Sequence, residues 1–208
     1  PVQKTKRPKV AVFGDLYSRD NRVMNQDLIR FIERHGGEVV TTPYNEYARM
    51  IANPYFRKWF FEGKYLTLIS SRTLMAAITR LERSYYRLFE PLLGEPMARF
   101  DDPLEKILAP YGLRIEHTGE SLDNLIKIHY IKKHHPDIAL FVQASPAFCC
   151  PSLVTEAMAR RIEAVTGVPV VPITYDGTAS RKNDVIIPYL QYPRAKSARG
   201  QSPMERAG

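Results

Sequence analysis

The chain has 208 residues, 44% hydrophobic and 25% charged, the balance of a soluble globular protein large enough to bury a substantial core. No run approaches the roughly 18 apolar residues of a membrane span, and nothing near Pro1 reads as a secretory leader. Much of the formal charge of +8 sits in the flanks, at Lys4, Lys6, Arg7 and Lys9 in front and Arg194, Lys196, Arg199 and Arg206 behind; without them the body is near neutral, which reads as solvated tails and excludes a nucleic-acid surface.

Residues 1–8 are expected to be a flexible basic lead. Lys9 to Phe13 (KVAVF) is a short apolar run that ends at Gly14-Asp15, a strand buried on both faces, as in parallel sheets. Asp20 and Asn21 are helix-capping residues. Met24, Leu28, Phe31 and Ile32 follow at helical spacing, and Gly36-Gly37 closes that helix. Glu38 to Thr42 (EVVTT) is a second strand. Eleven of the chain's 22 aromatic residues then fall between Tyr44 and Gly94, which predicts a packed helical lobe and not a linker. Leu74, Ile78, Leu81 and Tyr85 keep a helical period there, beside a basic face of Arg72, Arg80, Arg83 and Arg87.

Asp102 to Leu113 is expected to be a short helix closed by Gly112, and Arg114 to His117 a brief strand. Gly119-Glu120-Ser121 opens a helix with Leu122, Leu125, Ile126 and His129 on one stripe, which stops before Pro136. Asp137 to Gln143 (DIALFVQ) is a third strand. Pro151 suits the first turn of the next helix, whose buried side is predicted as Val154, Ala157, Met158, Ile162 and Val165. Val168 to Thr174 (VPVVPIT) is a fourth strand that Pro169 and Pro172 push towards an edge. A last short helix runs from Asn183 to Leu190, and residues 194–208 are a disordered tail. The alternation predicts a single α/β domain over 9–193. Its core is an open, mostly parallel Rossmann-like (flavodoxin-like) sheet of about four strands in the order 2-1-3-4, with the 44–94 lobe inserted after the second strand.

Ligands of such sheets collect beyond the carboxyl ends of the strands. The two cysteines, Cys149 and Cys150, fall in one of the loops at that edge, with a helix amino end pointing at them, which favours an anion such as a thiolate. Adjacent thiols are no disulfide framework and point to a reducing cytoplasm. Two readings stay open on spacing alone: a thiolate that binds metal or attacks an electrophile, and two small hydrophobes filling a turn. Two thiolates do not complete a zinc site or an iron–sulfur cluster, which want about four ligands. His129 reads as a packed core histidine, His134-His135 as partners of their own helix end, and Asp176-Gly177 as a turn. No dinucleotide fingerprint, Walker loop or nucleophile elbow is present.

The segment SPAFCCPSLVTEAMARRIEAVTGVPVVPITYDGT resembles the carboxyl-terminal region of the 2-hydroxyacyl-CoA dehydratase and benzoyl-CoA reductase superfamily, in particular its large activase-related proteins. The front, VFGDLYSRDNRVMNQDLIRFIERHGGEVVTTPYNEY, is similar to that superfamily's opening βαβ unit, with its pattern at Gly14, Asp15, Tyr17, Arg19 and Asn21. The resemblance runs from Lys9 to about Tyr192. It implies that Cys149, with Cys150 as second choice, is a ligand of an iron–sulfur cluster used for low-potential electron transfer in acyl-CoA dehydration or reduction. The cluster's other ligands then lie outside this chain, which is not expected to hold a cluster alone. Asp15, Tyr17, Arg19, Asn21, Pro146, Tyr175 and Asp176 make the candidate ligand pocket. The partners implied are other domains of a longer protein or a dehydratase or reductase chain, with acyl-CoA as a ligand and neither nucleic acid nor membrane. The alternative is a docking or ligand-binding module without chemistry of its own, whose aromatic, arginine-rich lobe meets acyl-CoA or a partner protein. A thiol-dependent enzyme built on Cys149 lacks a base nearby in sequence.

Overall fold

The computed structural model describes residues 7–94, 96–114 and 120–192. Most of the basic lead, the brief strand predicted after Arg114, the helix opening at Gly119 and the tail 194–208 lie outside these residues. Four parallel strands, β1 (Lys9–Gly14), β2 (Glu38–Thr41), β3 (Ile138–Pro146) and β4 (Val170–Tyr175), form one sheet in the order β2-β1-β3-β4. This is the predicted 2-1-3-4 arrangement, and the proline-bearing β4 takes an edge, where a missing N–H costs least.

The central strands are apolar on both faces because both faces are covered. On one side Val10, Val12, Leu140 and Val142 meet Leu28 and Ile32 of α2 (Leu28–Arg34) and Leu190 of α9 (Ile187–Gln191). On the other, Ala11, Phe13 and Phe141 meet Leu125 and Ile128 of α6 (Glu120–His134) and Ile162 and Val165 of α8 (Ala159–Thr166). The Phe13 and Phe141 rings contact edge to face at 6.1 Å.

Two predicted helices are interrupted. The first starts late: Asp20 and Asn21 end a short extra helix, α1 (Leu16–Asp20), in place of capping the predicted one, and α2 begins only at Leu28, because Gln26 and Asp27 take left-handed φ angles of 52° and 58°. The buried Asn25 holds the break: its Nδ2 donates to the Ser18 and Arg19 carbonyls, and its Oδ1 accepts from the Leu28 N–H. Such a side chain competes with the helix for the backbone. The second separates at Met158 into α7 (Cys150–Ala157) and α8. Val154, predicted to be buried, is exposed, and Ser152 and Thr155 are the buried residues of α7.

The 44–94 segment is helical, as α3 (Tyr44–Phe61) and α4 (Tyr65–Leu93), an antiparallel hairpin braced by an Arg49–Glu82 ion pair at 3.2 Å. Its base joins a third apolar cluster, in which Met50 meets Phe100, Leu104 and Leu108 near α5 (Leu104–Leu108). The predicted packing of its apolar stripe is not found: Leu74, Ile78, Leu81 and Tyr85 are exposed.

Candidate functional site

The chain leaves β1 towards β2 on one side and β3 towards β4 on the other, so the carboxyl ends of β1 and β3 form the switch point of the sheet. Glycine is required there. Gly14 has φ 114°, a Cβ on it would sit 2.4 Å from the Ala144 carbonyl oxygen, and the next N–H, of Asp15, donates to that oxygen at 3.0 Å.

The side chains of Asp15, Arg19 and Asn21, three residues of the amino-terminal pattern, have partners within the fold. The Asp15 carboxylate accepts from the Ser18 N–H at 2.7 Å and caps α1. Arg19 is fully buried; its Nη2 donates to the Thr42 carbonyl at 2.5 Å, its Nε faces Asp20 at 3.3 Å, and its guanidinium lies over the Tyr44 ring. Its Nη1 has no hydrogen-bond partner among the described residues. Asn21 Oδ1 accepts from the N–H groups of Val23 and Met24, and the Tyr17 ring is exposed.

Across the seam, β3 ends at Pro146, paired with Tyr175, and the Ala147 N–H donates to the Tyr175 carbonyl. Phe148 then takes a left-handed φ of 63°, with its ring in solvent. That turn delivers Cys149 to the amino end of α7, where its carbonyl accepts from the Ser152 and Leu153 N–H groups at 3.0 Å. The Cys149 sulfur is half-buried and accepts a hydrogen bond from Ser152 Oγ at 3.2 Å. Cys150 is exposed, its sulfur 4.0 Å from the Phe148 carbonyl oxygen. The two sulfurs thus have different environments.

Behind Cys149 lies a buried polar network. Gln143, in the middle of β3, donates from Nε2 to the Ser152 carbonyl at 2.9 Å, fixing the residue whose hydroxyl holds the sulfur. Asn124 of α6 donates to Thr155 Oγ1 at 3.0 Å, and that hydroxyl donates to the Pro151 carbonyl at 3.0 Å. Lys127, also buried, donates to the Gly14 carbonyl at 3.1 Å and lies 5.0 Å from the centre of the Tyr47 ring; Tyr47 Oη donates to Asp123 at 3.3 Å. A buried ammonium is costly unless it is paired, so this network ties α6, α7, β1 and β3 to one arrangement. Sequence reasoning missed it. The available signal was Gln143, a polar residue inside an apolar strand.

On the β4 side, Tyr175 is buried and donates to Asn183 Oδ1 at 2.8 Å; burial raises its phenol well above the ordinary value. Asp176 is held well below the usual carboxylate range by hydrogen bonds from Thr178 and then from Lys182. His129 is packed, as expected, with Nε2 2.8 Å from Asp102.

An iron–sulfur cluster asks for about four ligands, mostly thiolates. Among the described residues no three His, Cys, Asp or Glu side chains gather as a metal group. Cys149 and Cys150 are the thiol donors the chain offers, fewer than such a cluster needs. No helix among the described residues is long and apolar enough to cross a membrane. No family model, curated protein or solved structure matches the chain.

Proposed function

We propose that this chain is a carboxyl-terminal α/β domain of a protein related to the 2-hydroxyacyl-CoA dehydratases and their activases, and that it presents Cys149 as a single thiolate ligand to an iron–sulfur cluster. The remaining ligands come from sequence or a partner outside this chain. The proposal rests on the placing of Cys149: a half-buried sulfur at the amino end of α7, on the carboxyl edge of the sheet, with a hydroxyl donating to it. Helix amino ends favour anionic sulfur, and hydrogen bonds to sulfur are among the features that tune cluster potentials. A bound cluster supplies one-electron transfer at low potential; this chain's own part is to hold one sulfur, through Gln143, Ser152 and the tip of α7, and to leave it reachable.

The test is anaerobic production of the chain together with the sequence preceding it in its parent protein, followed by a redox titration of the visible spectrum. Replacing Ser152 by Ala removes a hydrogen bond that stabilises the more negative, reduced state, so the potential moves to a more negative value with iron content unchanged. An unmoved potential, or a preparation without iron, contradicts the proposal.

A second reading has its own observation. Between α3, α4 and the segment leading to α5 lies a cleft of about 690 Å³, within the range of small-molecule sites. Its floor is Phe56, Met75, Met97 and Phe100, and its rim carries Arg83, Arg87 and Arg99. An apolar floor under guanidinium groups suits an acyl-CoA, as a ligand-binding module requires. Isothermal titration with coenzyme A and a short acyl-CoA tests it: heat from both that is lost in an Arg83→Ala/Arg87→Ala variant supports the reading, and no heat from either rejects it.

A further inference from the structure

We propose that residues 96–101, in the segment leading to α5, form a strap that opens and closes beside α3, with Phe100 as its latch. These residues wall two cavities at once. One is the cleft of about 690 Å³ under Arg83 and Arg87. The other, of about 590 Å³, is bounded by Val40, Thr41 and Thr42 at the end of β2, by Met50 and Tyr86, and by the last turns of α6. α3 contributes to both, with Glu46 and Met50 lining one and Arg49, Asn53 and Phe56 lining the other. Lifting the strap joins the two into one groove that follows α3 from Glu46 to Phe56, about 15 Å at a rise of roughly 1.5 Å per residue.

Side chains hold the strap shut. It is neither helix nor strand, and among the described residues its main chain makes no hydrogen bond to other main-chain groups. Arg49 donates from Nη1 to the Ala98 carbonyl at 3.1 Å, and its guanidinium lies 4.8 Å from the centre of the Phe100 ring. His134 Nε2 donates to the Arg99 carbonyl at 3.2 Å. Phe100 is 8% exposed and meets the Tyr130 and His134 rings edge to face at 5.0 and 5.6 Å. A segment with few such contacts and no backbone ladder opens at lower cost than the elements around it. Its ends suit a hinge and a post. Gly94, at φ 72°, ends α4 in a conformation that leaves glycine unstrained. Asp102 is fixed to α6: its N–H donates to Tyr130 Oη at 3.0 Å, and its carboxylate accepts from His129 at 2.8 Å and Lys133 at 2.6 Å.

What the groove admits rests on the reading of the cleft as a ligand site. The arginine rim then holds the anionic end of a ligand, and the lifted strap lets its body continue past Phe100 into the second cavity. With the strap shut, a ligand is confined to the cleft. The opening itself needs no ligand and is tested without one.

In a Cys149→Ser/Cys150→Ser background of the full chain, Met50→Cys places a thiol in the apolar cluster that contains Phe100, at a position 4% exposed. Leu140→Cys places one in the central sheet, at a position 1% exposed. Alkylation by iodoacetamide is expected to modify the first at least about tenfold faster than the second, because a local opening exposes one and global unfolding is needed for the other. The Met50→Cys rate is also expected to rise only shallowly with urea and the Leu140→Cys rate steeply, since little surface is exposed by lifting the strap. Tyr130→Phe/His134→Phe keeps both rings and removes two hydrogen bonds from the strap, each worth about fivefold in an equilibrium; it is expected to speed Met50→Cys labelling at least about tenfold. Equal rates and equal urea slopes at the two positions overturn the proposal, because the strap then opens only when the whole domain does. An unchanged Met50→Cys rate in the Tyr130→Phe/His134→Phe variant overturns it too, because the thiol is then reached without moving the strap. A titration with coenzyme A that gives no heat strikes the ligand reading alone.

Discussion

Replacing Gly14 by Ala strikes the seam on which the candidate site is built. At φ 114° a side chain carries about 1–3 kcal/mol of backbone strain. The added methyl would also lie 2.4 Å from the Ala144 oxygen and 3.0 Å from the Ala144 nitrogen, both backbone atoms of a central strand that cannot swing aside. Relief requires β1 and β3 to part. That weakens the Asp15 N–H bond to Ala144 and the Lys127 bond to the Gly14 carbonyl, worth roughly 1 kcal/mol for the first and about 1.5–3 kcal/mol for the charged one. The expected loss is about 4–6 kcal/mol, a large part of the roughly 5–15 kcal/mol that holds a typical domain. At this chain length it lowers Tm by roughly 10–20 °C. Gly36→Ala is the control: its φ is also positive, at 85°, but nothing lies within 4 Å of the added carbon, so only about 1–2 kcal/mol is expected. Urea denaturation followed by circular dichroism measures both. If Gly14→Ala loses no more than Gly36→Ala, the tight closure of the seam is not what holds this edge together.

Tyr175→Phe leaves Asn183 Oδ1 buried without its donor and is expected to lose about 1–3 kcal/mol in the same denaturation assay. In thiol alkylation, Cys150, which is exposed, is expected to react before the half-buried Cys149, so Cys150→Ala leaves one slowly modified thiol. The pH dependence has two parts. Burial, outweighing the pull of Asp102, holds His129 below the ordinary histidine value; below about pH 6.5 the unfolded chain takes a proton that the folded one resists. Stability from this group is complete above that pH and falls on acidification, and His129→Gln flattens the Tm profile between about pH 7 and 5. Burial pushes Asp102 up, but Lys133 and then His129 outweigh it and hold it low; its contribution is present above about pH 4 and is lost as the pH falls further.

The sheet was legible because its strands are short runs apolar on both faces, and two covered faces in a parallel sheet require that. Its strand order followed from connection rules. The helical breaks were not legible: Asn25 acts through hydrogen bonds to residues six and seven positions earlier, and no periodicity reports them. In the lobe, periodicity located α4 but could not show which stripe was buried, since Leu74 to Leu92 has the spacing of a core face and points outward. At the site, the place of Cys149 at a helix tip was readable from Pro151 and the preceding apolar run. The network behind it was not, because Asp123, Asn124 and Lys127 look like a solvated face until α6 is seen to be buried all round. Asp15, Arg19 and Asn21 read as a ligand-facing pattern; in the fold they cap a helix, brace Thr42 and close a turn.

The most direct measurement is iron and acid-labile sulfide per chain, determined anaerobically on the proposed longer protein in three forms: unaltered, Cys149→Ser and Cys150→Ser. Iron that falls sharply with Cys149→Ser and persists with Cys150→Ser is the predicted outcome. Full iron in the Cys149→Ser protein contradicts the assignment of that sulfur as a ligand.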